Sequence, residues 1–384
     1  MHFGIVAGEA SGDMLAAGLI AEIKKIHPDA TFEGIAGPLM IEQGCKVLHP
    51  LEKLSVFGLV EVLKDLPELL AIRKDVRKHF IANPPDVFIG IDAPDFNFSL
   101  EEQLKQQGIK VAHYVAPTVW AWREYRVHKV KRAVDLLLCI FPFEEKYFAK
   151  FDMPAVYVGH PLAESIPFEI DQKKAREKLG LSKVENLVAI LPGSRKSEVA
   201  MLGDAFLETA HICLQSHPRL HFVVPMATQK TRMIFEKQLA KHPELPITLV
   251  DGQSDVVLAA CDVTLMASGT ATLEALLYKR PMVIAYKVSG LTYWLVKTLK
   301  LMKISSFAMA NLIAGKKIAP EFIQHDVVPK KMAKVVMNYL DNPEERRGLQ
   351  IAFLEIHFKM RQNSSEKAAK AVLDLLELPL SQNA

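Results

Sequence analysis

The sequence has little with which to cross-link itself. Its four cysteines, Cys45, Cys139, Cys213 and Cys261, stand far apart and form no CxxC pair. That spacing argues against a local zinc motif and a disulfide framework, and it suits a reducing compartment. Long apolar runs are missing as well: charges interrupt every hydrophobic stretch well before the ~18 residues of a membrane-spanning helix. The opening MHFGIVAGEASGD does not read as a signal peptide, because Glu9 ends its apolar run too early. A cytoplasmic protein is expected, one that meets a membrane only peripherally. Charge of one sign is also scarce. Against 44 acidic residues stand 47 Lys and Arg, and a net charge of +3 gives no basic field for nucleic acid.

What is present is a repeated strand–helix alternation. With 384 residues the chain has room for two to three domains. Val- and Ile-rich strands are expected at 3–7, 86–91, 111–117, 136–140 and 156–158, with a helix over 13–26 that stops near His27-Pro28. The alternation restarts after GHPL (159–162), with strands at 187–191, 221–225, 247–250, 263–266 and 281–286, and becomes helical from Pro329, with helices over 343–360 and 365–376. Such a pattern predicts α/β architecture: two Rossmann-like domains, each a parallel sheet covered on both faces, facing a cleft. The expected boundaries are 1–165, 166–345 and a C-terminal helical segment, 346–384, that packs back on the N-terminal domain. Ligands of open α/β sheets sit beyond the carboxyl ends of the strands, so the segments after the strands carry the chemistry.

The first such segment, AGEASGD (7–13), is not GxGxxG, and Glu9 and Asp13 make it a poor cradle for pyrophosphate. Its carboxylates and small residues, with Ser11, suit sugar hydroxyls; the plain alternative is a turn with Asp13 as helix cap. In IDAPDFN (91–97), Asp92 stands at a strand end, where a carboxylate can act as general base, while Asp95 reads as a cap. Glu9 is the next candidate for that role. The stretch 114–135 sets Trp120 and Trp122 beside Arg123, Arg126, Lys129, Lys131 and Arg132, a set suited to a phosphorylated, lipid-bearing sugar, or else a basic solvated helix. In LPGSRKSEV (191–199), Gly193 and Ser194 offer backbone donors at a helix start and Arg195 a fork for a diphosphate. In ASGTATLEALLY (267–278), Ser268, Gly269 and Thr270 bring backbone close to a ligand, and Glu274 can accept from ribose hydroxyls. Asn311 in MANLIAG (309–315), with Glu321 and Gln324 after it, says little by itself.

Taken in order, AGEASGD, GLVEVL, IDAPDFN, VWAWR, FPFE, GHPL, LPGSR-x-SEV, SGTATLEAL and NLIAG resemble the lipid-A-disaccharide synthase family over almost the whole chain. One departure is Met309-Ala310, where that family usually has Leu-Pro before Asn311. The resemblance implies a glycosyltransferase-B fold and an inverting transfer from UDP-2,3-diacylglucosamine to 2,3-diacylglucosamine 1-phosphate (lipid X), on the inner-membrane surface. It implies Asp92 as base, Arg195 and the amides near Ser194 and Ser268 as stabilisers of departing UDP, and Asn311 among the donor contacts. No cofactor or metal is required, and no DxD-type pair stands in the second half; an Asp92/Asp95 metal pair is the competing reading. Two copies pairing through the C-terminal helices is compatible with the sequence. The alternatives are a UDP-sugar epimerase on the same architecture and a non-catalytic lipid- or nucleotide-binding scaffold.

Two amphipathic stretches are candidates for the lipid surface. One is 291–304, with Trp294 and Leu295 in an apolar stripe flanked by Lys297, Lys300 and Lys303. The other is 56–78, where Val56, Val60 and Leu63 precede Arg73, Lys74, Arg77 and Lys78.

Overall fold

The computed structural model describes residues 1–54, 59–121, 124–288, 306 and 308–377, with backbone only for 59–65. Arg123, Trp294 and Leu295, and the whole 291–304 stretch, lie outside the described residues, as does Trp122. The chain divides into two compact units. The first is Met1–Pro161 with the segment from Met360 onward, and the second is Leu162–Lys359.

The first unit is built on seven parallel strands: β1 (His2–Ala7), β2 (Thr31–Ala36), β3 (Cys45–Pro50), β4 (Val87–Ile91), β5 (Lys110–Tyr114), β6 (Leu136–Cys139) and β7 (Ala155–Tyr157). Their order is β3-β2-β1-β4-β5-β6-β7. Every residue of β4, and β1 from Phe3 on, is buried. Helices cover both faces, so these strands carry apolar side chains without alternation. One face packs Ile5, Ala7, Ile89 and Leu138 under the Ala10–Ile26 helix, whose Leu15, Leu19, Ile20 and Ile23 fall at helical spacing. The other packs Val6, Phe88, Val111 and Leu137 under Phe80, Phe98 and Leu104.

The C-terminal helices do not stay together. The Pro343–Met360 helix belongs to the second unit up to Lys359, whereas Ser364–Glu377 completes the first. Boundaries therefore fall at 161/162 and 359/360, rather than at 165/166 and 345/346. The reason is a small-residue stripe. Ala368, Ala369, Val372 and Leu375 fill the core against Ala10–Ile26, and Ser365 approaches Gly18 closely. Lys110 Nζ then caps that helix by donating to Leu375 O at 3.0 Å and Leu376 O at 2.7 Å.

The second unit holds β8 (Asn186–Leu191), β9 (Leu220–Met226), β10 (Ile247–Asp251), β11 (Val263–Ala267), β12 (Met282–Tyr286) and β13 (Glu321–Ile323), all parallel, in the order β10-β9-β8-β11-β12-β13. Phe206, Leu207 and Ala210 of the Lys196–Ser216 helix meet Met332, Ala333 and Val336 of Pro329–Asp341 over one face. The four cysteines are buried thiols without a disulfide, and burial pushes Cys45, Cys213 and Cys261 up to about 12.

Each sheet reverses its strand order once, between β1 and β4 and between β8 and β11. Helices leave to opposite faces at such a point and open a crevice beyond the carboxyl ends of the strands. Among the described residues no helix is long and apolar enough to cross a membrane.

Candidate active site

The first crevice is made by the segments after β1 and β4. Ala7 pairs with Ile91 across these strands, so Gly8–Glu9 and Asp92–Ala93 leave the sheet side by side. The approach is close: a Cβ on Gly8 would lie 2.3 Å from the Ala93 Cβ, which explains why that position carries no side chain. Asp92 and Ala93 both have left-handed backbone, with φ of 51° and 43°, uncommon for residues other than glycine. Asp92 is half-buried, with the Glu9 side chain beside it. Burial raises its pKa, and so does Glu9, while the Ala93 amide and the charge of His113 lower it. Ser11 Oγ donates to Glu9 Oε1 at 2.8 Å and so steers the second carboxylate. Two carboxylates from different strands thus share one crevice, one of them biased toward holding a proton.

Neighbouring acids have other duties. Asp13 does not cap its own helix. It is buried within Ala10–Ile26 and accepts from the amides of Gly37, Leu39 and Met40 at 3.0–3.2 Å, capping the Pro38–Glu42 helix instead. Asp95 is no cap either: Ala93 holds the N-cap position, and Asp95, 86% exposed, pairs with Arg126 at 2.7 Å. A cavity of about 180 Å³ lies beside this loop, with Pro94, Phe98 and Val119 as apolar wall and Arg126 and Lys129 as cations. Trp120 is half-buried, its ring edge-on to Phe143 at 4.8 Å and its N–H donated to Glu144 Oε1 at 3.1 Å. Glu144 is fully buried and also accepts from Ile140 N and Phe141 N; burial pushes its pKa up to about 8 against these bonds. Trp120 is thus fixed by a residue that its position in FPFE did not reveal.

The second crevice, after β8 and β11, holds a cavity of about 400 Å³. Gly193, Ser194, Arg195, Ser268, Gly269, Thr270 and Glu274 all line it, which brings together seven residues expected from two distant stretches. The Lys196–Ser216 helix starts here, and its exposed amides are engaged by Glu198, a residue the sequence reading passed over. Glu198 Oε2 accepts from Ser194 N at 3.0 Å and Arg195 N at 3.2 Å, and Oε1 pairs with Arg195 Nη1 at 3.0 Å. The carboxylate occupies the anion position that a helix N-terminus creates. Glu274 is half-buried on the Ala271–Leu277 helix, and its pKa is raised by burial and then by the Asp255 charge.

Asn311 departs from its expected place. It is buried outside the cavity lining, its amide donates to Ala319 O at 2.8 Å and Glu321 Oε1 at 2.6 Å, and its oxygen accepts from Ile318 N and Ala319 N. All its hydrogen-bonding capacity is spent on tying its helix to the chain entering β13. Among the described residues, three ligand-type side chains converge at His211, His242 and Glu244, and the last two precede β10 at the opposite end of the sheet.

A family model described as lipid-A-disaccharide synthetase matches residues 3–374. The chain belongs to the lipid-A-disaccharide synthase family. A Hahella chejuensis protein named lipid-A-disaccharide synthase is 48% identical over 378 residues, 98% of this chain and 95% of that one. Members of the lipid-A-disaccharide synthase family are glycosyltransferases of lipid A biosynthesis, and that is the role of this chain. At the level of fold, a Neisseria meningitidis UDP-GlcNAc 2-epimerase bound to UDP-GlcNAc is similar with a TM-score of 0.61 at 13% identity, over 98% of this chain and 100% of that one. A glycotransferase of kitacinnamycin gives 0.62 at 15% identity, over 98% and 99%. The two parallel sheets are those of the glycosyltransferase-B architecture.

Proposed function

We propose that the chain joins UDP-2,3-diacylglucosamine to the 6-hydroxyl of 2,3-diacylglucosamine 1-phosphate, giving the β-1,6 disaccharide 1-phosphate and UDP. The observation that carries the donor half is the second crevice, where helix-start amides, Arg195 and Glu274 line one cavity of about 400 Å³. Such a set suits a diphosphate and a ribose. The diphosphate takes the place of the Glu198 carboxylate on the amides and the arginine. On the acceptor side Asp92 takes the proton of the 6-hydroxyl as its oxygen bonds to the anomeric carbon and the bond from that carbon to UDP breaks. Arg126 and Lys129 beside the Asp92 loop offer charge to the acceptor phosphate, and Phe98 and Val119 offer surface to its chains. An assay of UDP release with the diacyl donor tests the reading: release must require the phosphorylated acceptor. Release or C2 epimerisation with donor alone would move the chain to hydrolase or epimerase chemistry.

The pH profile follows from the carboxylate pair. A base must be ionised, so kcat/KM falls as pH drops through the Asp92 pKa, which stands above the usual carboxylate range. Glu9 raises that pKa, so Glu9→Gln is expected to move the acid limb to lower pH. A limb that stays in place would remove Glu9 from the pair.

The acyl chains of both substrates call for a membrane surface. Along the Leu59–Ala82 helix, Ile72, Val76 and Phe80 are buried, whereas Leu66 and Leu70 are 42% and 45% exposed, next to Arg73 and Lys74. An apolar edge beside cations favours the interface of an anionic bilayer. Binding to anionic vesicles is expected, weaker as salt rises. Leu66→Ser with Leu70→Ser should reduce it without changing the melting transition; undiminished binding by that variant would assign the contact elsewhere.

A further inference from the structure

Beneath the Asp92 loop lies a buried polar cluster that the transfer as described does not use. Glu101 of the Pro94–Lys105 helix and His113 of β5 are each 0% exposed and meet at 2.7 Å, Nδ1 to Oε1. Asn97, one helical turn before Glu101 on the same face, is also 0% exposed. Its amide donates to Asp92 O at 2.8 Å and Ile91 O at 3.3 Å, so it grips the backbone on either side of the turn into the left-handed pair. Gly90, in register with His113, makes room: a Cβ there would lie 1.9 Å from Glu101 Oε1 and 3.2 Å from the Asn97 carbon that bears the amide. Three buried atoms of this cluster, Asn97 Oδ1, Glu101 Oε2 and His113 Nε2, have no hydrogen-bond partner among the described residues.

Stability alone does not call for such a cluster. A buried ion pair with unsatisfied atoms is generally no better than well-packed apolar groups of the same volume, and unpaired polar atoms cost more still. Left-handed backbone at two residues that are not glycine also persists only where its surroundings hold it. Cluster and strained turn coincide at the residue assigned as base. We propose that Asn97, Glu101 and His113 are positioning residues for the transfer: Asn97 holds the Asp92–Ala93 backbone, and the Glu101–His113 pair sets the charge behind the Asp92 carboxylate. The proposal rests on Asp92 being the base.

The electrostatics agree in sign. The charged side chains acting on Asp92 are Glu9, which raises its pKa, and His113, which lowers it; burial raises the Glu101 pKa, against the lowering effect of His113. Cations on the helices packed alongside are engaged elsewhere: Arg77 with Gln103, Lys129 with Ser99, Arg132 with Glu102 and Arg126 with Asp95.

The test is UDP release by the full chain with donor and acceptor, over pH, for Asn97→Ala, for Glu101→Gln combined with His113→Gln, and for Asp92→Asn. Asn97→Ala is expected to lower kcat about 10²-fold, the scale of a small misplacement of a reacting group, with UDP affinity unchanged. The double variant keeps size and hydrogen-bonding groups but removes both titratable groups, and its acid limb of kcat/KM should move to higher pH, opposite to Glu9→Gln. A purely structural cluster leaves that limb in place. Wild-type kcat in Asn97→Ala, or an unmoved limb in a folded double variant, overturns the proposal. So does loss of the native melting transition in both, since the cluster is then a folding element. Normal turnover in Asp92→Asn would instead remove the base assignment, a failure distinct from this one.

Discussion

Asp92→Asn is expected to lower turnover by about 10²–10⁴-fold, the usual cost of losing general-base catalysis, with UDP affinity near that of the wild type. The amide preserves the shape of the carboxylate but accepts no proton at a useful pH. The backbone of the left-handed pair is untouched, because its hydrogen bonds use main-chain atoms: Asp92 N donates to Tyr114 O at 2.9 Å, and Asp92 O accepts from Asn97. The cavity proposed for UDP lies in the second unit and is lined by no residue of this loop. Single-turnover UDP release with saturating donor and acceptor, together with equilibrium binding of UDP, separates the two effects. Turnover near that of the wild type would shift the role to Glu9, which shares the crevice.

Arg195→Ala is expected to weaken UDP binding and to slow transfer as well. A charged hydrogen bond contributes about 1.5–3 kcal/mol, so the loss in affinity is about tenfold to a hundredfold. The further fall in kcat arises because negative charge grows on the diphosphate as the bond to the sugar breaks. Arg195→Lys recovers only part, since an ammonium lacks the planar fork. This side chain is 79% exposed and, among the described residues, its ion pair is with Glu198, so its removal is expected to leave the fold intact and the melting transition unchanged. Unaltered UDP affinity in the alanine variant would show that the diphosphate lies elsewhere.

The two crevices were unequally legible in the sequence. Most of the strands and the seven residues of the second cavity follow directly from apolar runs and from what stands after them, because a buried parallel strand needs continuous hydrophobicity and a phosphate site needs small residues at a helix start. Three strands did not follow. β2 carries Glu33, which is only 11% exposed because His2, His79 and Lys46 all pair with it; β3 contains Lys46, His49 and Pro50; β13 has three residues. Edge position and tertiary ion pairs override the local pattern there. Asn311 was expected at the donor and instead ties its own helix down, since polar side chains near helix starts serve backbone groups as readily as ligands.

By itself the sequence determined the class of the fold, the place of the restart between the two sheets, the segments after the strands and, through the ordered motifs, the family. These are local or additive properties: periodicity, composition and short strings read without knowing what they touch. Only the tertiary structure decided what pairs with what. It put Glu9 against Asp92, turned Asp13 into the cap of another helix, set Glu198 on the amides at a helix start, buried Glu144 behind Trp120 and placed Glu101 on His113 under the Asp92 loop. It also divided the C-terminal helices between the two units. Each of these depends on strand order and register, which bring residues from separate stretches of chain to one crevice, and no local pattern encodes that proximity.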